Sequence, residues 1–103
     1  MTMSREALKE KFEDTRDIFV AFGDRYRQDI IITLSEKPHI TVRELAEHVQ
    51  LSRPAVSHHI KILKEAGLLG EQKEGRRTYY YPTPKEPLKK ITELIDASND
   101  WIK

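Results

Sequence analysis

Residues 52–64 read SRPAVSHHIKILK. A serine and two adjacent histidines sit among valine, isoleucine and leucine at helical spacing. Side chains of these types can do three kinds of chemistry. They can ligate a metal, pair as nucleophile and base, or read the edges of DNA bases. On a helix turning about 100° per residue, Val56, Ile60 and Leu63 gather on one inward side. Pro54, Ser57, His58, Lys61 and Glu65 fall opposite, and His59 falls at the margin of the apolar stripe.

This geometry separates the three chemistries. Adjacent helical residues diverge, so His58 and His59 cannot chelate one ion together. Zinc needs further ligands in a tetrahedral array. The other histidines, His39 and His48, lie before or on the preceding helix, and the chain has no cysteine. A Ser-His pair needs a third group to orient the base and an oxyanion hole in a pocket. Ser57 and His58 on a solvent-facing helix have neither. No enzymatic activity, cofactor or metal site is therefore expected. A recognition helix fits better. Small and polar side chains near its start allow close approach to base edges, where serine and histidine donate or accept and arginine grips guanine. The candidate DNA-binding residues here are Ser52, Arg53, Pro54, Ser57, His58, His59 and Lys61, with Arg53, Ser57, His58 and Lys61 nearest the bases. His59 is expected to be packed and hydrogen-bonded, touching at most a phosphate.

Such a helix must be held by others. Residues 4–22 place Leu8, Phe12, Thr15, Phe19 and Phe22 at alternating spacings of four and three, one stripe of an amphipathic helix that Ser4 can cap. A second helix spans about 24–36, with Tyr26, Ile30, Ile31 and Leu34 inward and Pro38 beyond its end. In TVRE, Thr41 and Glu44 form a capping-box pattern before a short helix with Val42, Leu45, Ala46 and Val49 inward. Ser52 caps the next helix, Pro54 sits in its first turn, and Gly67 ends it. LLGEQKEGRRTYYYP then reads as two strands around Lys73-Glu74-Gly75-Arg76. Lys73, Arg76 and Arg77 at this tip are candidate phosphate contacts, which position a protein on DNA without reading sequence. Tyr80 is expected to pack under the hairpin. A last helix, about 86–102, carries Leu88, Ile91, Leu94, Ile95, Ser98, Trp101 and Ile102.

The expected fold is mainly α with a small β-hairpin, in the order α-α-α-α-β-β-α. That is a winged helix-turn-helix: motif about 41–66, wing about 68–82, within one domain over 1–103. The terminal helices expose apolar stripes that a second copy can cover, so a dimer through them is expected.

The 103 residues suit one domain, with 38% hydrophobic and 34% charged residues. The net charge of +1 says nothing of nucleic acid, but its distribution is uneven. Residues 1–50 hold 8 Lys and Arg against 10 Asp and Glu, and residues 51–103 hold 10 against 7. That local excess alone is compatible with an ordinary solvated surface. The lack of cysteine excludes disulfides and thiolate ligands. No apolar run approaches the roughly 20 residues of a membrane span and no signal peptide is evident, so a cytoplasmic location is expected.

The stretch VRELAEHVQLSRPAVSHHIKILKEAGLL with GRRTYYY resembles the winged-helix repressors of the ArsR type. Val56, Ser57, His59, Leu63, Ala66, Gly67 and Leu68 match that family's V-S-x-H-L-x-x-L-x-x-A-G-L, with Ile60 for its leucine. GDRYRQDII resembles its D-P-T-R-x-x-I-L through Asp24, Arg27 and Ile30, with Arg25 where proline is usual. The resemblance implies a homodimer built on the first and last helices that binds an inverted-repeat operator in double-stranded DNA. It does not extend to the family's metal sites. Ala46 and His48 stand where the E-L-C-V-C-like motif has thiols. The last helix has Asp96 and Asp100 but no histidine. Gln50 occupies a turn position that often holds glycine. Two other readings remain: a regulator sensing a small organic ligand between the terminal helices, and a winged helix that binds protein.

Overall fold

The computed structural model describes residues 4–99. It contains α1 (Arg5–Phe22), α2 (Arg25–Glu36), α3 (Val42–Val49), α4 (Arg53–Glu65), β1 (Leu69–Glu74), β2 (Arg77–Pro82) and α5 (Lys85–Ser98). The expected element order holds. Trp101 and Ile102, expected on the last helix, and Asp100 lie outside the described residues.

Side chains satisfy the free amides at four of the five helix starts. Ser4 Oγ accepts from Ala7 N at 3.2 Å, and Asp24 Oδ1 accepts from Tyr26 N and Arg27 N at 2.9 and 3.1 Å. Thr41 and Glu44 form the full capping box, and Ser52 Oγ accepts from Ala55 N at 3.2 Å. Each cap stabilises its helix by about 1 kcal/mol. The fifth helix, α5, starts after Pro84 without one.

The core is built from Ala21, Ile30, Leu34, Leu45, Val49, Val56, Ile60, Leu63, Leu68 and Leu69, which α1, α2, α3, α4, the turn after α4 and β1 contribute. Two inward faces differ from expectation. On α1 Thr15 of the expected stripe is buried, but its buried neighbours are Ile18 and Ala21, while Phe12 and Phe19 are 43% and 48% exposed. Ile18 and Ala21 lie one position, about 100°, around the helix from Phe19 and Phe22, and Thr15 is shared by both faces. Small Thr15 and Ala21 let α1 sit close to its neighbours, and the phenyl rings flank the contact. On α2, Tyr26 is exposed and Arg27 is buried. Arg27 turns inward because its guanidinium caps the end of α1, donating through Nε to Ala21 O and through Nη2 to Val20 O, both at 2.9 Å. A buried cation is tolerated there because the carbonyl end of a helix carries partial negative charge.

The strands pair antiparallel from Leu69↔Pro82 to Glu74↔Arg77. Gly75 and Arg76 alone form the loop. Lys73 and Glu74, expected in the turn, belong to β1. Gly75 has φ 63° at the first loop position, which glycine adopts without strain. Gly70 has a different reason to lack a side chain. The Tyr81 ring lies across it, so close that an added Cβ would come within 2.5 Å of the ring. The hairpin is anchored to the end of α4 by Thr83, whose N donates to Leu68 O and whose Oγ1 donates to Gly67 O, each at 2.8 Å.

Helix α5 lies along α1 in the same chain, with Lys11 Nζ 3.3 Å from Glu93 Oε2. Pro87 and Leu94 are buried, whereas Leu88 and Ile95 stay 45% and 55% exposed.

Candidate nucleic-acid interface

The turn between α3 and α4 fixes the presentation of α4. Gln50 closes α3 in the left-handed region, φ 59° and ψ 44°, and Leu51 N donates to Ala46 O at 3.1 Å. Two residues later Ser52 caps α4, with Pro54 in the first turn, where no amide is lost. Val56, Ile60 and Leu63 then face the core. Ser52, Arg53, Pro54, Ser57, His58 and Lys61 are all exposed. The polar face read from the helical wheel is thus the face this helix presents to solvent.

Arg53 and Ser57 border a groove of about 560 Å³ between the starts of α3 and α4 and the strand β2. Arg76 and Arg77 line its other side, and Tyr80 lies at its base. Arg43, from the first turn of α3 and not among the residues expected at the interface, completes a cluster of four with the expected Arg53, Arg76 and Arg77. Its only signal was a cation just after the capping threonine of the motif's first helix. Among the described residues, Arg53, Arg76 and Arg77 have no carboxylate partner within salt-bridge distance. Arg43 Nε is 3.6 Å from Glu47 Oε1, an exposed pair of little energetic weight. Glu44 lies near the cluster. The Thr41 hydroxyl and amide hold its carboxyl below the usual range, and Arg77 and Lys37 add to this.

Lys73 does not line this groove; it sits on β1 opposite Thr78. Lys61 lines a second groove, between α4 and the hairpin, with Ser57, Lys64 and Tyr80. Lys64 is tied to β1 by Glu71 at 2.9 Å, and that hydrogen bond holds its ammonium pKa above the usual value. Tyr80 is partly buried against the core, as expected of a residue under the wing.

The two histidines have different surroundings. His58 is exposed. His59 is half-buried, with Nδ1 3.1 Å from Arg27 Nη1 and its ring stacked at 6.1 Å on Tyr26. Burial pushes the His59 pKa below the usual imidazole value; Asp24 opposes this, and Arg27 and His58 add to it. Asp24 is pushed up by desolvation, yet the amides of Arg27 and Tyr26 and the nearby cations leave it below the usual range. Among the described residues, Ser57 Oγ is hydrogen-bonded to no imidazole, and no three His, Cys, Asp or Glu side chains are grouped to hold a metal ion. No helix among them is long and apolar enough to cross a membrane.

The arrangement offers an exposed polar helix face flanked by unpaired guanidinium groups. Such a surface can enter a major groove and neutralise phosphates beside it. Known proteins share the sequence pattern and the fold. Residues 24–70 match the family described as bacterial regulatory protein, arsR family. An uncharacterised HTH-type transcriptional regulator of Methanocaldococcus jannaschii is 37% identical over 84% of this chain and 97% of its own. The transcriptional repressor SdpR of Bacillus subtilis is 34% identical over 62% of this chain and 70% of its own. Among solved structures, an ArsR-like transcriptional regulator from Rhodococcus sp. RHA1 superposes with a TM-score of 0.79 at 25% identity, covering 89% of this chain and 84% of that one. A homodimeric winged helix-turn-helix DNA-binding domain from Mycobacterium bovis shares the fold, with a TM-score of 0.71 at 19% identity over 97% and 91% of the two chains. The wing, the capped recognition helix and these likenesses agree: the chain belongs to the arsR family of winged helix-turn-helix, DNA-binding transcriptional regulators, and not to a family of enzymes.

Proposed function

We propose that this protein is a homodimeric transcriptional repressor that binds an inverted-repeat operator without using a metal sensor. The observation that carries the reading is the groove where Arg43, Arg53, Arg76 and Arg77 surround the exposed start of α4. In this reading Arg53, Ser57, His58 and Lys61 approach base edges, while Ser52 and Pro54 bring the first turn close to the strand. Lys73, Arg76 and Arg77 contact phosphates on the flank. His59 acts from the margin of the helix. Residues 1–103 work as one winged-helix unit in the cytoplasm.

The homodimer is supported by the exposed Phe12, Phe19, Leu88 and Ile95 on α1 and α5, apolar side chains that a second copy could cover. It also fits the homodimeric state of the Mycobacterium bovis domain. A repressive role follows the naming of SdpR. A protein-binding module would not require four arginines around one groove. The test is selection of duplexes from a randomised pool by the intact chain, followed by titration of the recovered sequence and scrambled DNA. Recovery of a palindromic sequence bound two protomers at a time is expected. Equal affinity for the scrambled duplex would overturn the reading.

A further inference from the structure

The side chains of Arg27 and His59 form a link that the recognition surface does not need for contact with DNA. Arg27 comes from the first turn of α2 and is 9% exposed. It spends two donors on the last turn of α1, at Val20 O and Ala21 O. Its remaining nitrogen, Nη1, reaches Nδ1 of His59 in the middle of α4. Gln28 reinforces the same end of α1 by donating to Phe22 O at 2.6 Å. One guanidinium therefore joins the end of the aromatic-flanked helix α1 to the recognition helix.

The chemistry of this joint has one working state. Arginine only donates, so Nδ1 of His59 must accept. The ring is then neutral with its proton on Nε2. A proton on Nδ1 would set an N–H against a guanidinium N–H and place two cations side by side in a partly buried space. The charged groups acting on the ring are Asp24 and Arg27 from the start of α2, and His58 from its own helix. Tyr26 supplies a ring face, and Arg27 also holds the Val20 and Ala21 carbonyls of α1. Asp24 would favour the imidazolium, but its Oδ1 is occupied by the amides of Tyr26 and Arg27.

We propose that Arg27 is a positioning residue that holds α4 through the neutral ring of His59, so that protonation of His59 uncouples the recognition helix from α1 and weakens sequence-specific DNA binding in acid. The proposal rests on the DNA-binding function above. Its sign opposes that of simple electrostatics. Added positive charge on an exposed histidine such as His58 strengthens attraction to any phosphate backbone. Loss of the strut instead lowers preference for the right sequence.

The experiment has one arm without DNA and one with it. In the first, imidazole nitrogen shifts of the intact protein are followed by NMR from about pH 7.5 to about pH 5. His59 is expected to show an unprotonated Nδ1 and a protonated Nε2 at the upper end, and to titrate below the ordinary imidazole value. A protonated Nδ1 at neutral pH would overturn the proposal whether or not DNA is bound. In the second arm, affinities for the selected duplex and a scrambled duplex are measured across the same range. The specific-to-scrambled ratio is expected to fall by about three- to tenfold, as linkage to one proton near that range allows. His59→Asn keeps an acceptor where Nδ1 stands and cannot take up the proton, so its ratio is expected to stay flat. Arg27→Gln is expected to lower the ratio at both ends and to lose the pH response. His58→Ala removes a base-edge contact and is expected to lower the ratio at every pH, while keeping its fall in acid. A response unchanged in His59→Asn, or abolished in His58→Ala, would assign the proton elsewhere and defeat the strut. If no duplex is selected at all, the functional reading fails, while the NMR arm still decides the state of the joint.

Discussion

Gln50 stands in the left-handed region at φ 59° only two residues ahead of Ser52, the cap of α4. The chain thus reverses from one helix of the motif into the other through a strained non-glycine residue. Such a conformation costs an L-residue about 1 kcal/mol that glycine does not incur. Gln50→Gly is expected to raise stability by up to about 1 kcal/mol, and Gln50→Val to lower it by more than that. Urea midpoints at constant slope measure both. A glycine variant less stable than the parent would mean that the Gln50 side chain contributes more than its backbone costs.

The wing makes a second prediction. Replacing Arg76 and Arg77 together by alanine is expected to weaken selected and scrambled DNA alike. The log–log slope of affinity against salt should shrink by about 0.9 for each phosphate contact removed. An unchanged slope would take the wing out of the interface. Arg43→Ala is expected to behave in the same way, since it lines the same groove.

Contacts on the start of α4 have a different signature. Arg53→Ala and His58→Ala are expected to change which bases are preferred, at about 1–3 kcal/mol for each good base contact. Their fold should be little affected, because both side chains are exposed. Repeating the selection with each variant shows whether the recovered sequence changes. The same sequence recovered by both would place them on the backbone instead.

Much of this was legible in the chain because short-range rules dominate it. Ser4, Thr41, Ser52 and Gly67 mark helix ends where the structure has them, and the period of Val56, Ile60 and Leu63 orients α4 correctly. What escaped was set by tertiary packing. The aromatic stripe of α1 is the strongest apolar signal in that helix, yet of its members Thr15 is buried beside Ile18 and Ala21 while Phe12 and Phe19 stay exposed. Arg27 is not among the inward residues expected of α2, because its burial comes from capping the end of α1. Arg43 gains a role only when β2 brings Arg76 and Arg77 alongside. No helical-spacing rule encodes where one element meets the next.

The His59 ring also bears on stability. Its folded pKa lies below the ordinary value of 6.5, with burial as the leading cause. The unfolded chain therefore takes up the proton first. The stability linked to this group is complete above about pH 6.5 and is lost as pH falls through the lower folded value. His59→Asn is expected to flatten that part of the stability-against-pH curve relative to the parent, as followed by thermal melts from about pH 8 to pH 5. Parallel curves would show that another group is responsible. The removal of the whole ring in His59→Ala is expected to lower stability throughout the range.

The last prediction concerns assembly. The contact of α1 with α5 inside one chain, through Lys11 and Glu93, means that neither helix waits for a partner in order to pack. Together they still leave Phe12, Phe19, Leu88 and Ile95 substantially exposed. A stable interface between two such surfaces buries about 1,600 Å² in total, and a two-fold axis presents the same patch from each subunit. The axis would also set two α4 helices at a fixed separation. Half-sites about one helical turn, roughly 34 Å, apart would suit such a pair. Deleting residues 86–103 would remove part of each subunit's own packing as well, so single charges are the cleaner probe. Phe19→Asp and Ile95→Asp each put a carboxylate on the patch without emptying the core. Both are expected to sediment as monomers with near-parental helix content, and to bind a single half-site about as tightly as each other. Their affinity for the full palindrome is expected to fall by about tenfold or more, because the second half-site no longer adds to the first. Variants that stay dimeric would move the interface elsewhere on the surface. Monomers that bind the full site as tightly as the parent would separate dimerisation from DNA recognition.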